Sequence, residues 1–470
     1  MATPADARLR AALSGITPRP SAGSTSTHLH AQSAAWLVRE IRQGRLLPSA
    51  LLEALIGRVV ALDGRTNAVV VRDFGRARAR ARGADRAAAA GEWWGPLHGL
   101  PLSVKDNLDV EGLPTSRGDP ALARGPAAQA SDDAVARLQA AGAIIFGKSN
   151  LPLQGSDIQS YNDAFGVTTN PHLPSRTPGG SSGGGAAAVA ARLTPVECGT
   201  DIGGSLRFPS HCCGIYGHKP TWGLVPKRGG DGTPVTPTDL WVTGPLARSA
   251  EDLQLLLGVL AEPYRAELPA ANRPSPMAGY TLPPSTLGPS LQGCRVAVWA
   301  DDGLCPVGDR VAETMRLAVD ALRAAGAVVD EQARPGFDAA HAHRTYLRLL
   351  GAATASRMKP DAFAQMLAEA DETETGAASP TTGAAGLGIG DEEAFEVGAM
   401  TMRHHEWLAV DEERARLRLA WARFFEAHDI LLMPVGPALA FAHDHSEADA
   451  PYWRASQGRR VALDRRRPLP

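Results

Sequence analysis

Thr177-Pro-Gly-Gly-Ser-Ser-Gly-Gly-Gly185 and Gly199-Thr-Asp-Ile-Gly-Gly-Ser-Leu-Arg-Phe-Pro209 each place a serine, Ser181 and Ser205, inside a glycine-rich run. Upstream, Gly99-Leu-Pro-Leu-Ser-Val-Lys-Asp-Asn107 delivers a lysine at the end of a short apolar stretch. Glycine lacks the Cβ that would keep backbone away from a reacting group. Consecutive N–H groups in such a turn can converge on one developing negative charge. A lysine serves as a base where burial brings its proton affinity down toward neutral pH. Together the three segments imply a serine hydrolase that uses lysine, with no metal and no histidine in its proton relay.

The residues around these segments alternate between strand and helix signals. Apolar spacing predicts a helical pair over 33–62 broken near 44–48, a Val-rich strand over 68–72, and an Ala/Arg helix over 74–91 ended by Gly91. A strand over 100–104 leads into Lys105; a helix over 132–141 precedes a strand over 143–146. The glycine loop at 179–185 opens into an Ala-rich helix over 186–193, followed by a strand over 195–198. A helix is expected over 250–260, then a polar, Pro-rich linker over 262–292. A strand–helix–strand unit follows over 294–299, 311–325 and 327–330, and residues 371–391 read as a mobile loop. This pattern predicts an α/β fold: a central mixed, mainly parallel β-sheet covered by helices on both faces.

Composition bounds the class. The chain has 470 residues, 44% apolar and 21% charged, with a formal net charge of −2. That is enough apolar content for a sizeable core, and there is no run of like charge of the kind that binds nucleic acid. No stretch approaches the ~18 apolar residues of a membrane span. Residues 1–32 read as a flexible lead and 33–470 as a single domain, with its densest motifs at about 95–250 and the rest of the sheet and the substrate entrance at 251–470. The five cysteines, Cys198, Cys212, Cys213, Cys294 and Cys305, lack CxxC spacing. They read as buried thiols in a reducing cytoplasm rather than as disulfides or zinc ligands.

The three segments, in this order, resemble those of the amidase signature family, which includes fatty acid amide hydrolases, bacterial acylamidases and the A subunit of the tRNA-dependent amidotransferase. The likeness runs from about Trp36 onward and includes Gly214-Ile-Tyr-Gly-His-Lys-Pro-Thr-Trp-Gly-Leu-Val-Pro226 and Gly244-Pro-Leu-Ala-Arg-Ser249. The resemblance implies Ser205 as nucleophile, Ser181 as bridging serine after a cis peptide from Gly180, and Lys105 as base. It implies an oxyanion hole from the N–H groups of Ile202, Gly203, Gly204 and Ser205. Ser182, Thr200, Asp201 and Arg207 would support the site, the last two as a charged pair. The expected reaction is cleavage of an amide or carbamate through an acyl-enzyme, with no cofactor, in the cytoplasm, by a monomer or homodimer acting on a small molecule. The alternative within the family is a glutamine-using amidotransferase subunit working with partners. The segments at 208–213 and 218–225 look more like broad-range bacterial amidases.

Other motifs compete with this reading. Gly142-Ala-Ile-Ile-Phe-Gly-Lys-Ser149 matches the nucleotide P-loop pattern, but its middle residues are themselves the expected strand and would be buried. Gly179-Gly-Ser-Ser-Gly183 matches the nucleophile elbow of α/β-hydrolase esterases, with Asp444 and His443 as partners, but Thr177-Pro178 makes a poor strand before it. The clusters His443, Asp444, His445 and His404, His405, Glu406 could ligate a metal, yet adjacent residues on one element point apart. Trp93, Trp94, Trp222 and Trp241 fit either an aromatic pocket or core. After the strand in Asp429-Ile-Leu-Leu-Met-Pro-Val435, family members continue into further strands and a helix. This chain ends in a basic, Pro-containing tail over 457–470, so the expectation is a C-terminal part cut short and a sheet lacking strands.

Overall fold

The computed structural model describes residues 29–226, 237–261, 290–374 without 357 and 359, and 395–445 without 396. Most of the expected lead over 1–32, most of the 262–292 linker, most of the 371–391 loop and the tail over 446–470 lie outside the described residues. The chain divides into two compact units.

The first unit is built on a six-stranded mixed sheet in the order β1-β3-β2-β6-β8-β7. Its strands are β1 Val69–Arg72, β2 Pro101–Lys105, β3 Ile144–Ser149, β6 Val196–Asp201, β7 Tyr216–Gly217 and β8 Val242–Ala247; a two-stranded ribbon, β4 Tyr161–Asn162 and β5 Gly166–Val167, stands apart. Parallel pairing is confined to the inner strands β3, β2 and β6, while β1, β8 and β7 run antiparallel to their neighbours. The expected mixed sheet is present, and its parallel part is the centre that carries Lys105.

Strand alternation sorts the two faces of the sheet. On one face Leu102, Val104, Val196 and Cys198 pack with Leu37 and Ile41 of α1 (Ala34–Arg42), Leu51 and Leu55 of α2 (Pro48–Leu62), Leu138 of α4 (Asp133–Ala140) and Leu256 and Leu260 of α7 (Ala250–Leu260). The other apolar cluster joins Val69, Ile144 and Phe146 with Leu52, Ile56 and Val59 of α2, Ala77 and Ala81 of α3 (Phe74–Ala89), and Ala187 and Ala188 of α5 (Gly183–Ala190). The leucines, Ile41 and Phe146 are essentially fully buried, each worth about 1.5–3 kcal/mol relative to exposure. Helix starts follow local chemistry: Ser33 Oγ accepts from Trp36 N, Asp73 caps α3, and Ser249 Oγ accepts from Asp252 N.

The second unit has its own parallel three-stranded sheet, β10-β9-β11, from β9 Arg295–Val298, β10 Val328–Asp330 and β11 Ile430–Leu432. Val296, Val298, Met315 and Val319 form its core with Ile430 and Leu432. The helices are α8 Asp309–Ala324, α9 Ala339–Ala355, α10 Pro360–Glu374 and α11 His404–Ala427. The strand read in 429–435 therefore pairs with β9 of this smaller sheet. Among the described residues, no helix is long and apolar enough to cross a membrane.

Candidate active site

Lys105 closes β2 and is fully buried. Its Nζ donates to Ser181 Oγ at 2.6 Å and to Thr200 Oγ1 at 3.2 Å. The peptide joining Gly180 to Ser181 is cis. Gly180 lies against the 157–159 backbone so closely that a Cβ would fall 2.5 Å from Asp157 O and 2.7 Å from Gln159 N, so glycine is required there. Ser160 clamps the loop from outside: its Oγ donates to Gly179 O at 3.0 Å and accepts from Gly183 N at 3.0 Å.

Ser205 sits on the turn between β6 and α6 (Arg207–Cys213), 6% exposed. The two serine loops are tied together where Ser182 N donates to Ser205 O at 3.2 Å and Ser182 Oγ donates to Thr200 O at 3.2 Å. Among the described residues, the Ser205 hydroxyl makes no hydrogen bond to Ser181 or Lys105. Such contacts often tighten only when substrate is bound.

The turn's shape is held by Asp201. Its carboxylate, fully buried, accepts from Gly204 N and Leu206 N at 2.9 Å each, from Arg207 N at 3.4 Å, and from the Arg207 guanidinium at 2.8 and 3.1 Å. Burial pushes this carboxyl's pKa up, but Arg207 and the backbone amides outweigh it and hold the group below the ordinary carboxylate range. Of the four amides expected to form an oxyanion hole, the Gly204 N–H is the one that Asp201 engages. The amides of Ile202, Gly203 and Ser205 carry no hydrogen bond among the described residues.

Sequence reasoning missed three contributors. Asn107 Nδ2 donates to Thr200 Oγ1 at 2.9 Å, fixing the hydroxyl that Lys105 also reaches; it stands two residues after Lys105 in the motif already singled out. Ser160 and Glu197, a fully buried carboxylate that accepts from the Ser103 and Ser149 hydroxyls, gave no signal, because their partners are distant in the chain.

The competing motifs resolve. In 142–149 the middle residues are buried strand, and Lys148 Nζ lies 2.6 Å from Asp106 Oδ1 with both side chains enclosed. Residues 177–180 form no strand before Ser181, and the group on its hydroxyl is Lys105 rather than a histidine. His404 stacks with Trp407, Glu406 caps α11, and His445 stacks on Tyr161. Among the described residues, no three His, Cys, Asp or Glu side chains are placed to hold a metal ion. Trp93 and Trp94 pack around His98, under Arg42 and Arg80, as structural aromatics. Four cysteines are buried, while Cys305 is exposed, contrary to expectation. Burial pushes the Cys212 thiol up to about 12 and those of Cys198 and Cys213 well above the ordinary thiol range, which leaves them unreactive.

Comparison with known proteins places this arrangement. The A subunit of the Glutamyl-tRNA(Gln) amidotransferase from Deinococcus radiodurans is 34% identical over 426 residues, 89% of this chain and 84% of the relative. The peptide amidase of Stenotrophomonas maltophilia is 28% identical with a TM-score of 0.65, over 86% of this chain and 83% of that one. A bacterial aryl acylamidase of the amidase signature family shares the fold at a TM-score of 0.71, with 24% identity over 89% of this chain and 82% of that one. The Amidase family model matches residues 50–457, so the chain belongs to the amidase signature family, enzymes that act on carbon–nitrogen bonds.

Proposed function

We propose that this protein is a free-standing hydrolase that cleaves small amides or carbamates through an acyl-enzyme on Ser205. The observation that supports this is the enclosed Lys105 Nζ to Ser181 Oγ contact of 2.6 Å, in a loop whose next residue binds the Ser205 carbonyl. Ser205 Oγ attacks the carbonyl as its proton passes to Ser181, whose own proton passes to neutral Lys105. The amides of Ile202, Gly203 and Ser205 bind the oxyanion; in comparable sites one donor is worth about 3–4 kcal/mol. The relay then reverses to protonate the leaving amine, a step amides need because amide anions leave poorly. Water repeats the sequence to release the acid. This chemistry calls for no metal or organic cofactor, and the buried free thiols suit a reducing cytoplasm.

A fluorophosphonate should label Ser205 stoichiometrically, and Ser205→Ala should abolish both labelling and hydrolysis of an aryl amide without unfolding the protein. Ser181→Ala and Lys105→Ala should each slow labelling by several orders of magnitude, with far from additive effects in the double variant. Label on another residue, or a wild-type rate in either single variant, overturns the relay.

The curated relatives favour a second reading. Several are A subunits of a Glutamyl-tRNA(Gln) amidotransferase, at 31–34% identity. On that reading the chain would release ammonia from glutamine for partner subunits. The segments at 208–213 and 218–225 and the peptide amidase likeness favour the hydrolase. Glutaminase activity that depends on added partner subunits would reverse the choice.

A further inference from the structure

Glu197 is a fully buried carboxylate that the relay does not use. It lies on β6 opposite Ser103 of β2, and Lys105, two residues further along β2, shares that strand face. The Ser103 hydroxyl bonds its Oε2, and Ser149 Oγ of β3 bonds its Oε1 at 2.6 Å. Room for it exists because residue 185 is glycine: a Cβ there would lie 2.6 Å from Glu197 Cγ and 2.9 Å from Oε1.

The elements packed around the carboxylate bring one charge to it. β2 supplies Ser103 and Lys105, β3 supplies Ser149, β8 places Leu246 opposite, and α5 has no titratable side chain. Cys198, the next residue on β6, packs into the apolar cluster with Leu102 and Val104. Burial pushes the Glu197 pKa up to about 7, against the opposing pull of Ser103, Ser149 and Lys105.

We propose that Glu197 is a positioning residue for Lys105: its carboxylate governs how tightly the buried amine holds its proton and so sets the pH at which the amine can act as base. This rests on the reading of Lys105 given above. The argument is reciprocity. The ammonium makes Glu197 easier to ionise, so ionised Glu197 makes the ammonium harder to deprotonate by the same free energy, and the two groups titrate as a pair. A protonated Glu197 exerts no such hold, and a glutamine never does.

The test is the pH dependence of fluorophosphonate labelling at Ser205 in the full chain. In Glu197→Gln the acid limb should move to lower pH by about half a unit or more, and Glu197→Asp should bring it back toward the wild-type position. Ser149→Ala, which removes one bond favouring the ionised carboxylate, should move the limb the same way by less, and it carries the test if Glu197→Gln fails to fold. A uniformly lower rate with an unmoved limb, or a limb displaced to higher pH, overturns the proposal. Lys105→Ala separates the two failures. If it labels at the wild-type rate, the base assignment falls; if it does not label while the Glu197→Gln limb stays put, the role of Glu197 falls alone.

Discussion

Asp201→Asn tests whether one buried carboxylate builds the turn that presents Ser205. The wild-type oxygens take two main-chain N–H groups at 2.9 Å, a third at 3.4 Å, and the Arg207 fork. Asparagine keeps one acceptor oxygen and turns an NH₂ toward donors that need the other. Hydrogen bonds to a charged group are worth about 1.5–3 kcal/mol each. The Arg207 side chain is 45% exposed, so water screens its part, which we discount to at most about 1 kcal/mol. A net loss of about 3 kcal/mol follows, at the low end for breaking a buried charged pair. The sign with pH is fixed. The folded carboxyl is held below its ordinary value of about 3.9, so its stabilisation is complete above about pH 4 and drains away as pH falls through the folded value. Urea unfolding should show the variant destabilised at pH 7, with the gap to wild type closing in acid. Because the same turn carries the Ile202, Gly203 and Ser205 amides, labelling by a fluorophosphonate should fall about 100–1000-fold. An unchanged urea midpoint together with an unchanged labelling rate refutes the reasoning.

Three further outcomes follow from particular contacts. Lys148→Met strands the buried Asp106 carboxylate that Lys148 Nζ meets at 2.6 Å, and should cost about 3–5 kcal/mol in urea unfolding; adding Asp106→Leu should recover most of it, and a neutral single variant would count against the pair. Gly185→Ala puts a methyl group 2.6 Å from Glu197 Cγ, and should lower stability by about 1–3 kcal/mol; a melting temperature equal to wild type would mean that α5 shifts freely. Dialysis against EDTA should leave Ser205 labelling intact; loss with recovery on adding zinc would return the histidine clusters to consideration.

The candidate site is written more locally in the sequence than the sheet around it, for physical reasons. Glycines beside a serine are legible because their purpose is local: backbone must pass where a Cβ cannot. Lys105 was legible from its place at the end of an apolar strand. β8 escaped notice because Val242–Ala247 contains Gly244 and Pro245, residues that weaken or end strands. It pairs with β6 along all six residues, from Val196 opposite Ala247 to Asp201 opposite Val242. That pairing carries β6 three residues past the expected end at 198 and makes strand residues of Thr200, whose hydroxyl Lys105 reaches, and Asp201, whose carboxylate holds the following turn. α5 was misjudged in the opposite direction. Gly183, Gly184 and Gly185 are poor helix formers, so the helix was expected to begin at 186. They form its first turn all the same, and glycine is needed at each because a Cβ would strike Ser160, Asn150 and Glu197 respectively.

Glu197 marks the limit of local reading. A glutamate between a valine and a cysteine reads as the polar face of a half-exposed strand, and nothing nearby in sequence says otherwise. Its partners come from two other strands, Ser103 and Ser149, and its space from a glycine on a helix. Each is unremarkable alone, since serine and glycine occur freely in strands and turns. Only the parallel register of β3, β2 and β6 brings them together, with Lys105 two residues along β2 from the serine opposite Glu197. Ser205 and its loop are thus specified by residues close in sequence. The surroundings of Lys105 are specified by sheet register, and are read from the fold or not at all.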